Sequence, residues 1–380
     1  MENFTAYNPT KLHFGKNIVE TMHTRVGIYG KKALVIYGKE SAKKYGFFEK
    51  VTNQLTKANI EFVEFGGIKP NPVIDDVNKA VELCKKEQID FIVAVGGGSV
   101  IDSAKIIAIA YANNEDAWEI MKYKVKTTKS TPIIVVLTLA ATGTEMNGAA
   151  VVQNHETHEK IGYVNELNYP KESFLDPDFT ITVSKENTIY GIADMIAHSL
   201  ESYFAEGEAD LSDRLVAANI NEIFEAGPEL LKNLENYDLR ARILWASTVA
   251  LNGTLYSGRK SSGDWGVHSI GHVMSYLFDT AHGATLSVTF LAWMKHLKPR
   301  IEKRLEKLGY LLTGEEKTAD ETIKIFESFF KKIGAPTVLE ELEICRTDMA
   351  AIKKYLIHTK ASGMHYKLEE DDYDKILRLM

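Results

Sequence analysis

The sequence predicts an α/β amino-terminal domain followed by an all-α carboxy-terminal domain. Two observations lead to this prediction. In the first half of the chain, short and continuously apolar runs alternate with helical patterns, which is typical of a parallel sheet covered on both faces. After about Ser184 the strand-like runs stop, and nearly every segment has helical periodicity. We therefore expect an α/β domain at residues 1–185 and a helical domain at residues 186–380.

The strands of the first domain are predicted from runs rich in β-branched residues that end in glycine or polar residues. These runs are KALVIYG (Lys32–Gly38), EFVEFGG (Glu61–Gly67), DFIVAVGGG (Asp90–Gly98) and TPIIVVLTL (Thr131–Leu139). Helices are predicted between them, at Ala42–Lys57, Val73–Glu87 and Val100–Asn113. The following segment, Gly148–Asn165, is predicted to form a hairpin of two strands around a polar turn.

The composition of the chain excludes several classes of protein. Its 380 residues are 45% hydrophobic and 26% charged, as in ordinary globular proteins, and a net charge of −7 leaves no basic surplus for nucleic acid. The only cysteines, Cys84 and Cys345, do not form a CxxC motif, so we expect neither a disulfide framework nor a thiolate zinc site. No signal pattern and no apolar run of about 20 residues occur, which predicts a cytoplasmic protein without a membrane span.

A glycine-rich turn follows the third predicted strand, in VAVGGGSVIDSAKIIAIA. Gly97 and Gly98 let the backbone approach a phosphate group, and Ser99 is expected to cap the next helix and to contact that phosphate. The lysine of a P-loop is missing. A similar loop of small and hydroxylated residues, Thr138–Gly148, follows the next strand, and such loops bind ligands at the carboxyl ends of parallel strands. The alternative is that the glycines only allow close packing of the helix on the sheet.

A group of histidines in the second half predicts a metal site. In GIADMIAHSLESYF, Asp194 and His198 lie four residues apart and therefore on one helical face. His268 and His272 repeat this spacing on another helix, and His282 follows in a His-Gly turn. One carboxylate oxygen with several imidazole nitrogens suits Fe²⁺, Zn²⁺ or another borderline divalent ion. Any one of these histidines alone fits a hydrogen-bonded core position better than a ligand position, and it is the two pairs with a further histidine that favour a metal site.

Four motifs together resemble a known family. GGGSVIDSAK, TLAATGTEMN, GIADMIAHSLE and HSIGHVMSYLFDTAHG are similar, in order and spacing, to motifs of the iron-containing (group III) alcohol dehydrogenases. The likeness is greatest to the branch of NADPH-dependent butanol dehydrogenases and broad aldehyde reductases, and it covers essentially the whole chain. It implies a dehydroquinate synthase-like architecture, with a dinucleotide-binding domain, a helical domain, a metal in the cleft between them, and a homodimer.

The resemblance also implies roles for individual residues. The metal ligands would be Asp194, His198, His268 and His282, holding one divalent ion, with Fe²⁺ favoured over Zn²⁺ or Ni²⁺. His272 matches a histidine near the nicotinamide and is a candidate catalytic residue in a proton relay. The matching cofactor-binding positions are Asn71, Gly97, Gly98, Ser99, Asp102, Thr138, Thr142 and Lys160. Ala140 departs from the family, which commonly has proline there.

A second departure concerns the choice between NADP(H) and NAD(H). NAD-preferring members of the family have an aspartate at the end of the first nucleotide-binding strand, where this chain has Gly38. A carboxylate there would accept a hydrogen bond from a ribose 2′-hydroxyl but would repel a 2′-phosphate. Gly38 removes that repulsion, while Lys39, Ser41 and Lys43 offer charge or a hydroxyl donor; Glu40 would oppose this if it pointed inward. We therefore expect NADP(H) to be preferred; the alternative is that this segment is only a solvated, lysine-rich turn.

The predicted function is a metal-dependent transfer of hydride between NADP(H) and a primary alcohol or aldehyde, such as butanol and butanal, with a broad range. An NAD-dependent dehydrogenase of glycerol or propanediol is the nearest alternative. The absence of an arginine close to the histidine motif favours uncharged substrates, although Arg259 and Lys260 leave the point open. Alternatives from other classes are a metallohydrolase and a non-catalytic nucleotide-binding module. The hydrolase would leave both glycine-containing loops without a role.

Overall fold

The computed structural model describes all 380 residues, which form two compact units. The α/β unit consists of Asn8–Val183 and Glu235–Leu244. The helical unit consists of Met1–Tyr7, Ser184–Leu234 and Trp245–Met380. The predicted fold class is confirmed. The sequence predicts a single domain boundary after residue 185. In the structure, residues 1–7 additionally belong to the helical unit and residues 235–244 to the α/β unit.

The α/β unit is built on a sheet of six strands in the order β1-β8-β5-β4-β2-β3. Every neighbouring pair in this sheet is parallel. Its strands are β1 (Lys11–Phe14), β2 (Lys32–Tyr37), β3 (Glu61–Phe65), β4 (Phe91–Gly96), β5 (Ile133–Leu137) and β8 (Glu172–Leu175). The four predicted strands are all present. β1 and β8 are not predicted, because runs of four residues are too short to show a pattern.

Apolar side chains cover both faces of this sheet. Along β2, Val35 points into one hydrophobic cluster, and Leu34 and Ile36 point into the other. The helices of this unit are α1 (Ser41–Lys44), α2 (Phe47–Lys57), α3 (Ile74–Glu87), α4 (Gly98–Asn113) and α5 (Ala117–Met121). Burial on both faces explains why the strands have continuously apolar sequences. The helix predicted at Ala42–Lys57 is interrupted at Gly46, whose φ of 73° is left-handed.

The predicted hairpin forms a separate two-stranded antiparallel sheet. It contains β6 (Ala149–Asn154) and β7 (Glu159–Val164), with Ala149 opposite Val164. The chain also contains short 3-10 helices at Ile18–Thr24, Val26–Ile28, Thr144–Met146, Glu166–Asn168, Pro177–Thr180, Leu339–Leu342 and Arg346–Asp348.

One almost completely buried helix dominates the helical unit. The helices that follow residue 184 are α6 (Lys185–Phe204), α7 (Asp210–Leu230), α8 (Tyr237–Leu251), α9 (Gly266–Phe278), α10 (His282–Thr313), α11 (Ala319–Ile333), α12 (Met349–Thr359) and α13 (Glu370–Leu379). In α6 every residue from 191 to 204 is buried, which is why its sequence is apolar on all sides. None of the helices has the length and apolar character that crossing a membrane requires.

Candidate active site

Three helices of the helical unit bring a carboxylate and two imidazoles to one point. Asp194 lies on α6, His268 on α9, and His282 is the first residue of α10. One ligand atom from each of these residues lies within 4.8 Å of the others. Asp194 and His268 are buried, and His282 is partly buried. We call these three residues the ligand cluster.

His198, the fourth predicted ligand, adjoins this cluster without belonging to the group that lies within 4.8 Å. Its Nδ1 atom is 3.7 Å from Oδ1 of Asp194, one helical turn earlier. Its ring stacks on the ring of His268, with 4.7 Å between the centroids. That Nδ1 atom is buried and makes no hydrogen bond. The structure therefore brings three predicted ligands together and places the fourth beside them.

Burial determines the protonation state of His198. It lowers the pKa of His198 to about 4, although the carboxylate of Asp194 acts in the opposite direction. The imidazole is therefore neutral near pH 7. A neutral imidazole has a lone pair to offer to a metal ion, whereas an imidazolium has none.

Gly283 allows α10 to begin next to α6. A Cβ atom at this position would lie 2.0 Å from the carbonyl oxygen of Tyr190, one turn before Asp194 on α6. Only glycine accommodates that approach without a shift of backbone. The His-Gly pair in the sequence therefore has a structural reason, since the glycine lets the preceding His282 reach the other ligands.

His272 lies one turn after His268 on α9 and is partly exposed. Its ring centroid is 4.9 Å from that of His282 and 6.5 Å from that of His268. It is not part of the ligand cluster. This position, next to the cluster and open to solvent on one side, suits a residue that exchanges protons.

The glycine-rich turn of the α/β unit lies between β4 and α4. Gly97 occupies the N-cap position of α4 and has no side chain. The first amides of the helix are therefore not capped by that residue. The prediction that Ser99 is the cap is wrong, because the helix begins at Gly98 and Ser99 already lies in its first turn. A Cβ atom on Gly98 would be 2.7 Å from Cγ2 of Thr142, which places the two predicted loops in contact.

Asp102 and Lys105 tie the second loop to α4. The carboxylate of Asp102 accepts the hydroxyl of Thr144 at 2.7 Å and the amide of Val151 at 2.9 Å. The ammonium of Lys105 lies within 3.2 Å of four oxygen atoms, from Thr144 (two), Asn147 and Ala149. Sequence reasoning did not select Lys105. A lysine one turn after an aspartate, in an otherwise apolar helix, is the signal that could have found it.

Asn71 and Lys160 are distant in sequence, and the structure joins them. The ammonium of Lys160, on β7, donates a hydrogen bond of 2.8 Å to Oδ1 of Asn71. The backbone of Asn71 is left-handed, with a φ of 55°. Thr138 directly follows β5, and its amide donates to the carbonyl of Gly96 at the end of β4. These predicted cofactor positions thus lie around the carboxyl ends of β4 and β5 or beside β7.

Gly38 directly follows β2, and Lys39 and Ser41 beyond it are exposed. Lys43, by contrast, is engaged: its ammonium lies 2.6 Å from Oε2 of Glu64. The pairing of Lys43 with Glu64 reduces the positive charge that the sequence suggested for this turn. Lys39 remains the exposed cation next to Gly38.

Comparison with known sequences gives the chain a family. Residues 9–177 match the family described as iron-containing alcohol dehydrogenase, and residues 188–379 match the carboxy-terminal domain of Fe-containing alcohol dehydrogenases. The chain belongs to the iron-containing alcohol dehydrogenase family. The sequence-based resemblance is confirmed. Membership implies oxidoreduction of alcohols and aldehydes, with a metal ion and a nicotinamide cofactor.

Individual relatives match over nearly the full length. The chain is 39% identical to the probable NADH-dependent butanol dehydrogenase 1 of Bacillus subtilis, over 100% of this chain and 99% of that protein. It is 33% identical to the NADPH-dependent aldehyde reductase YqhD of Escherichia coli, over 94% and 93% of the two chains. The crystal structure of NADH-dependent butanol dehydrogenase A from Thermotoga maritima superposes with a TM-score of 0.95, at 39% identity and over 100% and 98% of the chains.

Proposed function

We propose that the chain interconverts primary alcohols and aldehydes, and that Asp194, His198, His268 and His282 hold one divalent metal ion, Fe²⁺ in the first place. The convergence of Asp194, His268 and His282 from three helices, with ligand atoms within 4.8 Å, carries this proposal. Their donor set of oxygen and imidazole nitrogen fits a borderline divalent ion. The neutral and buried imidazole of His198 adds a third nitrogen, and so a fourth ligand, beside them.

When bound, the metal ion would act as a Lewis acid on the substrate oxygen, and the nicotinamide would donate or accept the hydride. The residues of the chain supply position and proton transfer. His272 is suited to take the hydroxyl proton of an alcohol at an imidazole nitrogen and to release it to solvent, since it lies beside His282 and is partly exposed. In the reverse direction the same nitrogen would deliver the proton to the product alcohol.

We propose that the dinucleotide binds at the carboxyl ends of β4 and β5. Gly97, Gly98 and Ser99 would receive the pyrophosphate at the uncapped start of α4. Asn71, Thr138, Thr142 and Lys160 would line the remainder of the cofactor. Asp102 would act through the loop that it holds, since both of its oxygens already accept hydrogen bonds within the unit.

We further propose that NADP(H) is preferred over NAD(H), because Gly38 places no carboxylate at the end of β2 and Lys39 is exposed beside it. The relatives named above include both NADH- and NADPH-dependent enzymes. Substituting Lys39→Ala should lower kcat/KM for NADPH about tenfold, equivalent to about 1.4 kcal/mol, and leave NADH largely unaffected. A wild-type preference for NADH would contradict the proposal.

Butanal-like substrates, a homodimer and a cytoplasmic location stay predictions from the sequence.

The proposed function is tested by removing and restoring the metal. Protein purified without chelator is analysed for its elements, and the loss of NADPH absorbance with butanal is measured before and after treatment with a chelator. We expect one equivalent of a divalent metal per chain, loss of reductase activity with the metal, and recovery on adding Fe²⁺ or Zn²⁺. Full activity in metal-free protein would contradict the proposal. Metal-dependent ester cleavage without nicotinamide would favour the hydrolase.

A further inference from the structure

Glu201 is a buried carboxylate on the same face of α6 as two proposed metal ligands. It follows Asp194 by seven residues and His198 by three, and this spacing places all three side chains on one stripe of the helix. The residue is 1% exposed. A carboxylate this deeply buried requires hydrogen-bond donors, and the donors identify what it does.

Its donors all come from the start of α9. Oε1 accepts the backbone amide of His268 at 3.1 Å and lies 2.8 Å from Nδ1 of the same residue. Oε2 accepts the backbone amide of Trp265. The main-chain carbonyl of Glu201 also accepts the amide of Asp264, at 3.2 Å. One residue of α6 thus holds both the backbone and the imidazole at the start of α9.

The contact with Nδ1 determines which nitrogen of His268 can face a metal ion. Both oxygens of Glu201 already accept backbone amides, from His268 and Trp265, so the group acts as an acceptor here and Nδ1 carries the proton; the lone pair of a neutral imidazole is then on Nε2. Nε2 is the nitrogen that lies nearer the other ligands, 3.9 Å from Oδ1 of Asp194. Hydrogen bonds of this type orient ligating histidines and strengthen their binding to metal.

The backbone contact has its own consequence. Trp265, which precedes α9, has a left-handed φ of 65°, a conformation that residues other than glycine seldom adopt. The hydrogen bond from its amide to Glu201 stabilises this turn, and the turn sets where α9 begins, two residues before His268. A carboxylate at the start of a helix is also favoured by the helix dipole.

We propose that Glu201 is a positioning residue: it fixes the start of α9 and accepts a hydrogen bond from the Nδ1–H group of His268, so that Nε2 is presented to the metal ion. This inference rests on the metal site of the proposed function. It assigns to Glu201 no contact with substrate or cofactor.

Substitution by glutamine tests this assignment because an amide has only one oxygen. The single amide oxygen of Glu201→Gln can accept hydrogen bonds either from His268 or from Trp265. Its NH₂ group then faces the N–H donor of the other residue. Glu201→Asp keeps two acceptor oxygens on a shorter side chain. Glu172→Gln is the matched control, since Glu172 is 2% exposed, lies 2.8 Å from Nε2 of His13, and belongs to the α/β unit, which contains none of the proposed ligands.

The experiment measures Co²⁺ and Zn²⁺ affinity of the metal-stripped full-length proteins by competition with a chelator, after circular dichroism has shown that each is folded. We expect Glu201→Gln to weaken binding about 10- to 100-fold, Glu201→Asp to lie between it and the wild type, and Glu172→Gln to bind like the wild type. Equal affinities of Glu201→Gln and the wild type would overturn the assignment, as would equal losses in Glu201→Gln and Glu172→Gln.

A second measurement does not depend on metal binding. Nitrogen-labelled histidine reports the tautomer of His268 by NMR in metal-free protein. We expect the proton on Nδ1 in the wild type and a mixture of tautomers in Glu201→Gln. A wild-type proton on Nε2 would overturn the assignment. A wild type that binds no metal but keeps the Nδ1 proton would contradict the metal site and support the role of Glu201 towards His268.

Discussion

Buried polar side chains are arranged differently in the two units. In the α/β unit, Lys105 lies within 3.2 Å of four oxygen atoms, and Asp102 accepts two hydrogen bonds from neighbouring residues. In the helical unit, Asp194 Oδ1 lies 3.7 Å from His198 Nδ1 and 3.9 Å from His268 Nε2, beyond hydrogen-bond distance. The first arrangement is a network of short hydrogen bonds within the protein, whereas the second has the spacing of ligands around a shared ion.

This difference indicates which buried polar groups serve structure and which serve chemistry. Lys105 and Asp102 fix a loop through contacts inside the fold, so their loss should be visible as a loss of stability. The residues of the ligand cluster and His198 converge with the spacing of ligands around one ion, so their loss should be visible as a loss of metal and activity. Four substitutions separate these two expectations.

The largest expected effect is on activity, for His282→Ala. Without this ligand the metal ion and its stabilisation of the transition state, worth several kcal/mol, should be lost, lowering kcat/KM for butanal about 1000-fold. Metal content and steady-state kinetics measure the effect. The control is His296→Ala on the same helix, whose imidazole contacts Asp372 at 3.0 Å and which should retain full activity. Retention of metal and rate by His282→Ala would contradict the ligand assignment.

Lys105→Met should have the largest effect on stability. Removing a fully buried cation leaves the Asp102 carboxylate uncompensated, and burial already raises the pKa of that carboxyl. We expect the free energy of unfolding in urea to fall by about 3–5 kcal/mol. Lys122→Met removes a more exposed lysine paired with Glu159 and should cost less than about 1 kcal/mol. A loss below about 1 kcal/mol for Lys105→Met, as small as that expected for Lys122→Met, would show that the buried network does not stabilise the unit.

Gly283→Ala tests the approach of α10 to α6. The added methyl group would meet the carbonyl oxygen of Tyr190, so the start of α10 must move. We expect a loss of stability of about 1–3 kcal/mol, as for other overpacked sites, together with weaker metal binding because His282 moves as well. Thermal unfolding and metal titration report the two effects. A stable variant with unchanged metal affinity would show that His282 does not depend on this contact.

The smallest effect is expected for His198→Leu in metal-free protein. The imidazole is buried with its Nδ1 making no hydrogen bond, so an apolar side chain of similar size should change the free energy of unfolding by less than about 1 kcal/mol. Added metal should stabilise the wild type more than the variant. A large loss of stability without metal would show that His198 is a structural core residue, which is the alternative that the sequence left open.

The sequence predicts those elements and ligand pairs that depend only on the repeat of a single helix or strand. Asp194 and His198, or His268 and His272, share a helical face because of the helical repeat alone. That Asp194, His268 and His282 meet depends on packing between three helices, including the contact of Gly283 with Tyr190. No periodicity contains this information, and the resemblance to a family supplied it.

The features that were not predicted have reasons of two kinds, one local and one that depends on contacts between distant residues. β1 and β8 are too short to form a pattern, and the start of α4 was placed two residues late because Ser99 resembles a capping residue. The sequence does not single out Glu201, although it lies on the same stripe of α6 as Asp194 and His198. Its donors come from residues 265 and 268, which are distant in sequence and become neighbours only in the folded unit.

The most direct test of the metal site is a crystal of the full chain grown with Fe²⁺ or Zn²⁺, with diffraction data collected on both sides of the absorption edge of the metal. We expect one anomalous peak per chain, with Asp194, His198, His268 and His282 in contact with it. No peak there, or an ion whose first coordination shell lacks Asp194 or His282, would contradict the proposed chemistry.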